Sequence, residues 1–318
     1  MGSTLLKELP LPDLIDTYVK HNVLTTADSV CRNEMDKAIH IFGAEAAIVT
    51  VLKQILASIV HIQGRLEEAE TLWRETLEAN ETALSKEHPR TLTNMEDLAS
   101  AYAALGRFKE AEKLQVESVE LKKKWLGEEN TETLASIGNL AVTLEDQDRV
   151  VEAETLLTGV VHAERKIFGP GHPRKVSSMG HLASALLAQG RTAEASRWGL
   201  EAMEISEALQ GREHHETLGA MSIMVRVRVN EGQLQEAELL QAEILESATR
   251  VLGREHPDTL VYLYNMARIW NSLGRHADAK DLMSSCAELQ VQVLGREHRD
   301  TRKSWADLEA LGRLTNNR

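Results

Sequence analysis

The feature of this 318-residue chain that most constrains its fold is an internal repeat with a period of 42 residues. The string LGREHPDTL at 252–260 recurs, with substitutions, at five other places spaced by that period. A second marker, the alanine of a GRxxEAE-type string, and a third, an apolar residue of an NLA-type string, keep the same period. Three markers with one period and no insertion indicate an array of similar structural repeats. The related strings are LSKEHPRTL at 84–92, LGEENTETL at 126–134, FGPGHPRKV at 168–176, QGREHHETL at 210–218 and LGREHRDTR at 294–302.

Each repeat is expected to form two helices. A threonine in the first marker can cap the first helix, and a Gly-Arg pair such as 106–107 ends it. The second helix ends at a glycine suited to a left-handed C-cap, such as Gly127. Small alanines let the two helices approach, and the pairs must stack because one pair cannot bury its apolar faces alone. Few glycines, prolines and aromatic residues argue against an all-β fold.

The period fixes the expected boundaries. Residues 1–318 are expected to form one superhelical domain, although the length alone would allow two. Within the first repeat, Pro10 and Pro12 interrupt the first helix. A capping helix is expected over 301–314. The seven expected repeats span 7–48, 49–90, 91–132, 133–174, 175–216, 217–258 and 259–300.

The strings LGREHPDTL at 252–260 and GRFKEAEKL at 106–114, with the Asn-apolar-Ala triplets at 139–141 and 265–267, resemble tetratricopeptide repeats. More narrowly, they resemble the 42-residue type of kinesin light chains and of repeat arrays in fungal and bacterial NLR-like proteins. HEAT repeats have a similar period but fit the Gly-Arg turn poorly. The resemblance covers nearly the whole chain. It implies an all-α, right-handed α-solenoid whose first helices line a concave, ligand-binding face.

Composition restricts the partners. A net charge of −13 weighs against nucleic-acid binding, which needs a basic surface. The most apolar window, 47–62, is interrupted by Lys53, Gln54 and His61, and the start of the chain does not read as a signal peptide. No membrane association is therefore expected. Two distant cysteines, Cys31 and Cys286, are expected to be reduced structural thiols. We therefore expect a cytoplasmic protein.

Chemical motifs give no support for catalysis. Walker, GxGxxG, GxSxG and HExxH patterns are absent from the sequence, so we expect no cofactor and no metal, and an enzyme is the less favoured reading. Five of the twelve histidines occupy one repeat position just before the threonine, which favours a role in the turn over metal binding. These are His88, His172, His214, His256 and His298.

The candidate binding residues are those that project from the first helices into the expected groove. Arg226 and Arg268 lie one repeat apart, where guanidinium groups could hold a carboxylate or phosphate. Ordinary ion pairing of these arginines with Glu145, Asp146 or Glu231 is the alternative. Gly138, Gly180 and Gly219 either hollow the groove or allow close helix packing. The remaining candidates are Asn139 and Asn265, which match the family's peptide-binding asparagine, together with His181, Tyr264 and Asn271.

Three hypotheses for function remain open. The leading one is a scaffold that binds a protein or peptide segment, acidic or C-terminal, in the concave groove. The second is a site for a small carboxylated or phosphorylated molecule, even with acid–base chemistry through His181 and Glu145 or Asp146. The third is a self-associating module. Here the leucines of residues 1–12 could mediate dimerisation or fold over the first repeat.

Overall fold

The computed structural model describes residues 24–169, 171–296 and 298–316, and among these the chain forms fourteen α-helices and no strand. The first helix expected for repeat 7–48, with Pro10 and Pro12, and the leucines of residues 1–12 lie outside the described residues. The helices are α1 (Leu24–Phe42), α2 (Ala47–Ile62), α3 (Leu66–Leu84), α4 (Pro89–Ala104), α5 (Phe108–Leu126), α6 (Thr131–Glu145), α7 (Val150–Phe168), α8 (Lys175–Ala188), α9 (Thr192–Gln210), α10 (His215–Asn230), α11 (Leu234–Val251), α12 (Pro257–Ser272), α13 (His276–Leu294) and α14 (Arg299–Asn316).

The helices follow the period read from the sequence. Six complete pairs run from α2 and α3 to α12 and α13, and α1 is the second helix of the first repeat. Fourteen described helices are consistent with seven repeats, and the all-α repeat fold is confirmed. The C-terminal helix α14 covers Arg299–Asn316, slightly longer than the 301–314 expected.

In α4, α10 and α12 the capping residue is the histidine, not the threonine, and in α6 it is Asn130. The Nδ1 atoms of His88, His214 and His256 accept a hydrogen bond from the backbone N–H two residues later, at 3.1–3.3 Å. The predicted threonine cap is therefore wrong. The hydroxyls of Thr91 and Thr217 instead donate to the carbonyl six residues earlier, at 2.8 Å, and both residues are buried. The prediction that the recurring histidines serve the turn is confirmed.

Glycine is needed at the end of the second helix for a reason that differs from the expected one. Gly211 and Gly295 have φ of 88° and 84° with ψ of 165° and 164°. The positive φ agrees with the prediction, but the ψ is extended rather than left-handed helical. This region of φ and ψ is open essentially to glycine alone. Ser85 adopts it in repeat 49–90, with φ 92° and ψ 164°.

The chain packs as two compact units, Met1–Leu114 and Gln115–Arg318, which we describe separately. The core of the first includes Leu56, Ala69, Trp73 and Met95, each at most 3 % exposed. The core of the second is built from the sequence markers themselves. Its marker alanines are fully buried, and most of its marker apolar residues are buried as well. The residues that recur every 42 positions are therefore core residues. The buried markers of the second unit are Ala153, Ala195, Ala237, Ala279, Leu140, Leu182, Met224 and Met266.

The arginine of the Gly-Arg turn links neighbouring repeats, and we call these residues the turn arginines. In the second unit, Arg275 donates to Glu238, 37 residues earlier, at 2.7 Å and to Asp278 at 2.9 Å. Its guanidinium also lies 4.4 Å from the ring centroid of Trp270. Equivalent pairs join Arg191 to Glu154 and, within the first unit, Arg107 to Glu70, each at 2.6 Å.

Repeat 217–258 departs from this pattern. Gln233 stands where other repeats have the turn arginine, and Ser196 stands where its acidic partner would be. Arg228, which occupies a position of core residues in other repeats, donates to the Gln233 side chain at 2.8 Å and to Glu231 at 2.9 Å. The charge at this core position is therefore paired within its own repeat.

Candidate functional site: a basic cavity lined by the first helices

Polar side chains from several first helices of the second unit surround one cavity of about 500 Å³. The carboxyl-terminal end of α6 contributes Asp146, α8 contributes Ser184, and α10 and α12 contribute Arg226 and Arg268. Helix α14 adds four residues from its first two turns. We call this the basic cavity. Its principal charged and polar lining is Asp146, Ser184, Ser222, Arg226, Asn265, Arg268, Arg299, Asp300 and Lys303.

The repeat register explains why these side chains meet. Ser184, Arg226 and Arg268 occupy one position in three successive repeats, each 42 residues from the next. Stacked first helices therefore present them in a row. The contact between the first two is direct, because the guanidinium of Arg226 donates to the Ser184 hydroxyl at 2.8 Å.

The two carboxylates of the lining are both engaged by one arginine. Arg299 contacts Asp146 at 2.5 Å, although the two residues are 153 positions apart, and Asp300 at 3.5 Å. Within the described part of the chain, Arg226, Arg268 and Lys303 have no carboxylate oxygen within 4 Å. Four cations and two acids therefore give the lining a net charge of +2. This positive charge lies on the three cations that have no acidic partner.

The unpaired cations repel one another. Partial removal from water lowers the pKa of Arg226, and the charge of Arg268 lowers it further, while Glu145 opposes the change. Lys303 also has a lowered pKa, chiefly from burial and then from the charge of Arg268. Both side chains remain open to solvent at the cavity surface. This electrostatic strain would be relieved by a bound anion.

Glu145 lies behind Arg226 and is not its ion-pair partner within 4 Å. The carboxyl is half-buried, and its Oε1 has no hydrogen-bond partner. Burial raises the pKa of Glu145 to about 7, while a hydrogen bond from Ser184 and the charge of Arg226 pull it down. The other acids proposed as partners of Arg226 are engaged elsewhere, Asp146 with Arg299 and Glu231 with Arg228.

Tyr264 forms the floor beneath two of the cations. The ring is only 7 % exposed, and its hydroxyl donates to Asp307 at 2.6 Å. The Arg268 guanidinium and the Lys303 ammonium lie 5.8 and 5.3 Å from the ring centroid. Tyr264 therefore supports the cations and does not offer an open apolar surface to a ligand.

The other candidate residues divide into two groups. Asn265 lines the basic cavity with Arg226, Arg268 and Tyr264. Asn271 lines a neighbouring cavity of about 250 Å³ that it shares with Arg268, and its Oδ1 lies 2.7 Å from Nδ1 of His276.

Asn139 on α6 and His181 on α8 are not among the residues that line the basic cavity. Asn139 is exposed and His181 is half-buried, with its pKa lowered by burial. The structure therefore brings only part of the predicted set together.

The groove glycines do not serve close helix packing. A Cβ atom added to Gly138, Gly180 or Gly219 would meet no atom within 4 Å. Close packing instead requires Gly199 on α9, where an added Cβ would lie 2.9 Å from Sδ of Met224. Of the two readings offered by the sequence, open space at the three glycines is therefore the correct one.

Two cations of the cavity, Arg299 and Lys303, were not identified from the sequence, because α14 was read only as a cap. The sequence nevertheless contains an indication that Lys303 faces the groove. Thr301 keeps the repeat register, and Lys303 then falls at a position that faces the groove in the other repeats.

Comparison with known proteins identifies the class. The family model for the tetratricopeptide repeat matches residues 47–124, 130–208 and 216–290, which is more than half of the chain. The protein belongs to the tetratricopeptide repeat family. No curated protein sequence matches the chain significantly.

Three solved structures share the fold. A Podosopora anserina protein assigned to the kinesin light chains, with nearly identical TPR-like repeats, is 29 % identical; the match covers 64 % of this chain and 96 % of that one, with a TM-score of 0.50. BtubC of P. vanneervenii is 18 % identical over 75 % of this chain and 94 % of its own, with a TM-score of 0.56. NprR, in complex with its cognate peptide NprX, is 14 % identical over 94 % and 82 %, with a TM-score of 0.60.

The described residues contain neither a membrane-spanning helix nor a cluster of metal ligands. No described helix is long and apolar enough to cross a membrane. No cluster of three or more histidine, cysteine, aspartate or glutamate residues in the described ranges could hold a metal ion.

Proposed function

We propose that this protein is an interaction scaffold that binds an acidic peptide segment of a partner at the basic cavity. The observation that carries the proposal is a set of three cations, Arg226, Arg268 and Lys303, that face one cavity. No carboxylate of the part of the chain that the structure describes lies within 4 Å of them. In a chain with a net charge of −13, such a local excess of positive charge focuses attraction on anionic groups. NprR, a structural relative, holds its peptide NprX on the same kind of fold.

The side chains around the cavity suit this role. The two guanidinium groups can each hold a carboxylate through paired N–H donors, and the Lys303 ammonium supplies a mobile charge. Asn265 offers both a donor and an acceptor to a peptide backbone. The cavity volume of about 500 Å³ lies within the range of about 300–1,000 Å³ that is common for ligand sites.

The test is the affinity of variants for a fluorescent peptide that contains glutamates, measured by anisotropy. Arg226→Ala and Arg268→Ala should each weaken binding by roughly 10-fold, because each removes a charge-assisted hydrogen-bond donor. The melting temperature should not fall, since neither arginine has an acidic partner to leave behind. Arg254→Ala, in an exposed turn outside the cavity, is the matched control. Unchanged affinity in both cavity variants would refute the proposal.

The alternative of a small carboxylated or phosphorylated ligand is favoured by the volume of the cavity, about 500 Å³, which suits a small molecule. Competition decides between the two. If citrate or inorganic phosphate binds at micromolar concentration while the peptide does not bind, the small ligand is the better reading. The structure gives no support to acid–base chemistry through His181, since this residue does not line the cavity.

We also propose a cytoplasmic location. Cys31 and Cys286 are both buried and unpaired, and burial raises their pKa values to about 11 and about 12. Unpaired thiols of this kind persist in a reducing compartment.

A further inference from the structure

We infer that the anionic group held in the basic cavity is a phosphoryl dianion on the partner segment, grasped jointly by Arg226, Arg268 and Lys303. The inference rests on the proposed function and names the chemistry of the ligand. It is carried by the balance of charge, by the number and origin of the free donors, and by an acid of the chain that already occupies part of the cavity.

The balance of charge favours a doubly charged ligand. The lining has four cations and two carboxylates, and both carboxylates contact Arg299. Three cations are therefore left to share the ligand, and the net charge of the lining is two. A single carboxylate would neutralise half of it. A phosphorylated serine or threonine carries about −1.5 to −2 at pH 7 and would neutralise nearly all of it.

The free donors also match a phosphoryl group. The cations belong to three different helices, α10, α12 and α14, and all three line the same cavity. Arg226 uses one N–H on Ser184, which fixes the orientation of its guanidinium and leaves other N–H groups for a ligand. A phosphoryl group has three terminal oxygens and can engage three such cations at once. A carboxylate has two oxygens and about half of the charge, so it offers fewer acceptor sites to the same three cations.

The contact between Asp146 and Arg299 shows that an oxyanion is already bound by the chain itself at one side of this cavity. Asp146 lies at the end of α6 and Arg299 at the start of α14, so the pair spans four repeats. This carboxylate lowers the positive charge available to a ligand and holds the fourth cation. Asp146 is therefore an internal competitor of the bound phosphoryl group.

The direct experiment compares three fluorescent peptides that differ at one central residue, which is serine, glutamate or phosphoserine, at about 0.15 M salt. The phosphoserine peptide should bind at least ~10-fold more tightly than the glutamate peptide, because it adds charge and a third acceptor. Lys303→Ala should reduce this preference more than it reduces binding of the glutamate peptide. Arg254→Ala should change neither. Inorganic phosphate should displace the phosphoserine peptide.

The possible outcomes separate the two proposals. If the glutamate and phosphoserine peptides bind equally, the phosphoryl inference is wrong and the proposed function stands. If neither binds, both fail. Preferential binding to vesicles that contain a phosphoinositide, with no binding of the phosphopeptide, would assign the phosphoryl group to a lipid and overturn the peptide source. The peptide comparison uses the unmodified chain, so it does not depend on the folding of any variant.

A gain-of-affinity variant gives a second, independent readout. Asp146→Asn removes the competing charge and frees Arg299, and it should tighten binding of the phosphoserine peptide by ~3- to 10-fold. Asp278→Asn is the matched control, because it removes an acid from the turn arginine Arg275, outside the cavity. Equal or weaker binding by the Asp146 variant would show that this carboxylate does not compete with the ligand.

Discussion

Arg275 and Arg268 lie seven residues apart in one repeat, and both are solvent-exposed, yet their surroundings are opposite. Arg275 contacts Glu238 at 2.7 Å and Asp278 at 2.9 Å, and its guanidinium lies 4.4 Å from the Trp270 ring centroid. Among the described residues, Arg268 has no carboxylate within 4 Å, and its guanidinium lies 5.8 Å from the ring centroid of Tyr264. Arg275 therefore links neighbouring repeats, whereas Arg268 is available to bind a ligand.

The repeat explains how this difference arises. Turn arginines recur in most repeats, and their acidic partners recur with the same period, so each pair is built into the array. The position of Arg226 and Arg268 is occupied in repeats 49–90, 91–132 and 175–216 by serine, and in repeat 133–174 by Val142. No periodic acid accompanies it. A charge that departs from the repeat without a partner is therefore a better indication of binding than a charge that the repeat supplies with one.

The largest expected effect comes from comparing the alanine variants of Arg275 and Arg268. Arg275→Ala should lower the melting temperature of the chain by roughly 2–4 °C, because it removes two ion pairs and the packing over Trp270. Peptide affinity should be unchanged. Arg268→Ala should give the reverse pattern, with weaker binding and an unchanged melting temperature. Thermal unfolding followed by circular dichroism, together with anisotropy, measures both quantities.

The contrast between Arg275 and Arg268 would be wrong if the two variants behaved alike. If both variants melt early and both bind weakly, the two arginines belong to one network. Glu238→Gln provides a further check on the Arg275 result. It keeps the shape of the partner and removes its charge, so it should reproduce part of the loss of stability without any change in affinity.

A second prediction concerns the ion pair between neighbouring repeats that repeat 217–258 lacks. Combining Ser196→Glu, Gln233→Arg and Arg228→Leu would recreate the turn arginine, its acid 37 residues earlier and the apolar residue found at the equivalent Leu144 and Leu186. We expect a gain of about 1 kcal/mol in the free energy of unfolding, typical of a charge-optimised surface combined with a repaired core position.

The control for this design is Gln233→Arg alone. Arg228 donates to the Gln233 side chain, so a second arginine there would place like charges together and should give no gain. A chemical denaturation curve for each variant measures the difference. If the single variant is as stable as the triple variant, the departure at Arg228 has no structural meaning.

Much of the fold could be predicted because the residues that repeat every 42 positions are core residues. The marker alanines and apolar residues fixed the helix pairs, and the recurring histidines marked the turns. The threonine cap was wrong because threonine and histidine both stand near the helix start, and only the structure shows that His88 Nδ1 reaches the N–H of Arg90.

The site was predicted less completely. Arg226, Arg268 and Asn265 were identified from their repeat positions. The contact of Asp146 with Arg299 joins residues 153 positions apart and depends on how four repeats stack, which no local pattern specifies. The burial of Tyr264 depends on α14 in the same way, since its hydroxyl donates to Asp307.

The smallest expected effect concerns Glu145, the acid whose charge acts on Arg226. Its pKa is raised to about 7 from an ordinary value of 4.5. Between those two pH values the folded chain keeps a proton that the unfolded chain has released, so the free energy of unfolding should fall as the pH rises from 4.5 to 7.

Glu145→Gln should remove this dependence and keep the hydrogen bond with Ser184. The variant should be more stable than the natural chain at pH 8 by less than about 1 kcal/mol, because water still screens part of the carboxyl. The difference should vanish near pH 4.5, and denaturation curves at the two pH values test this. If Glu145 instead held Arg226 as Glu238 holds Arg275, the variant would be less stable at pH 8. The sign of the change at pH 8 therefore decides whether Arg226 is a paired arginine or a free one.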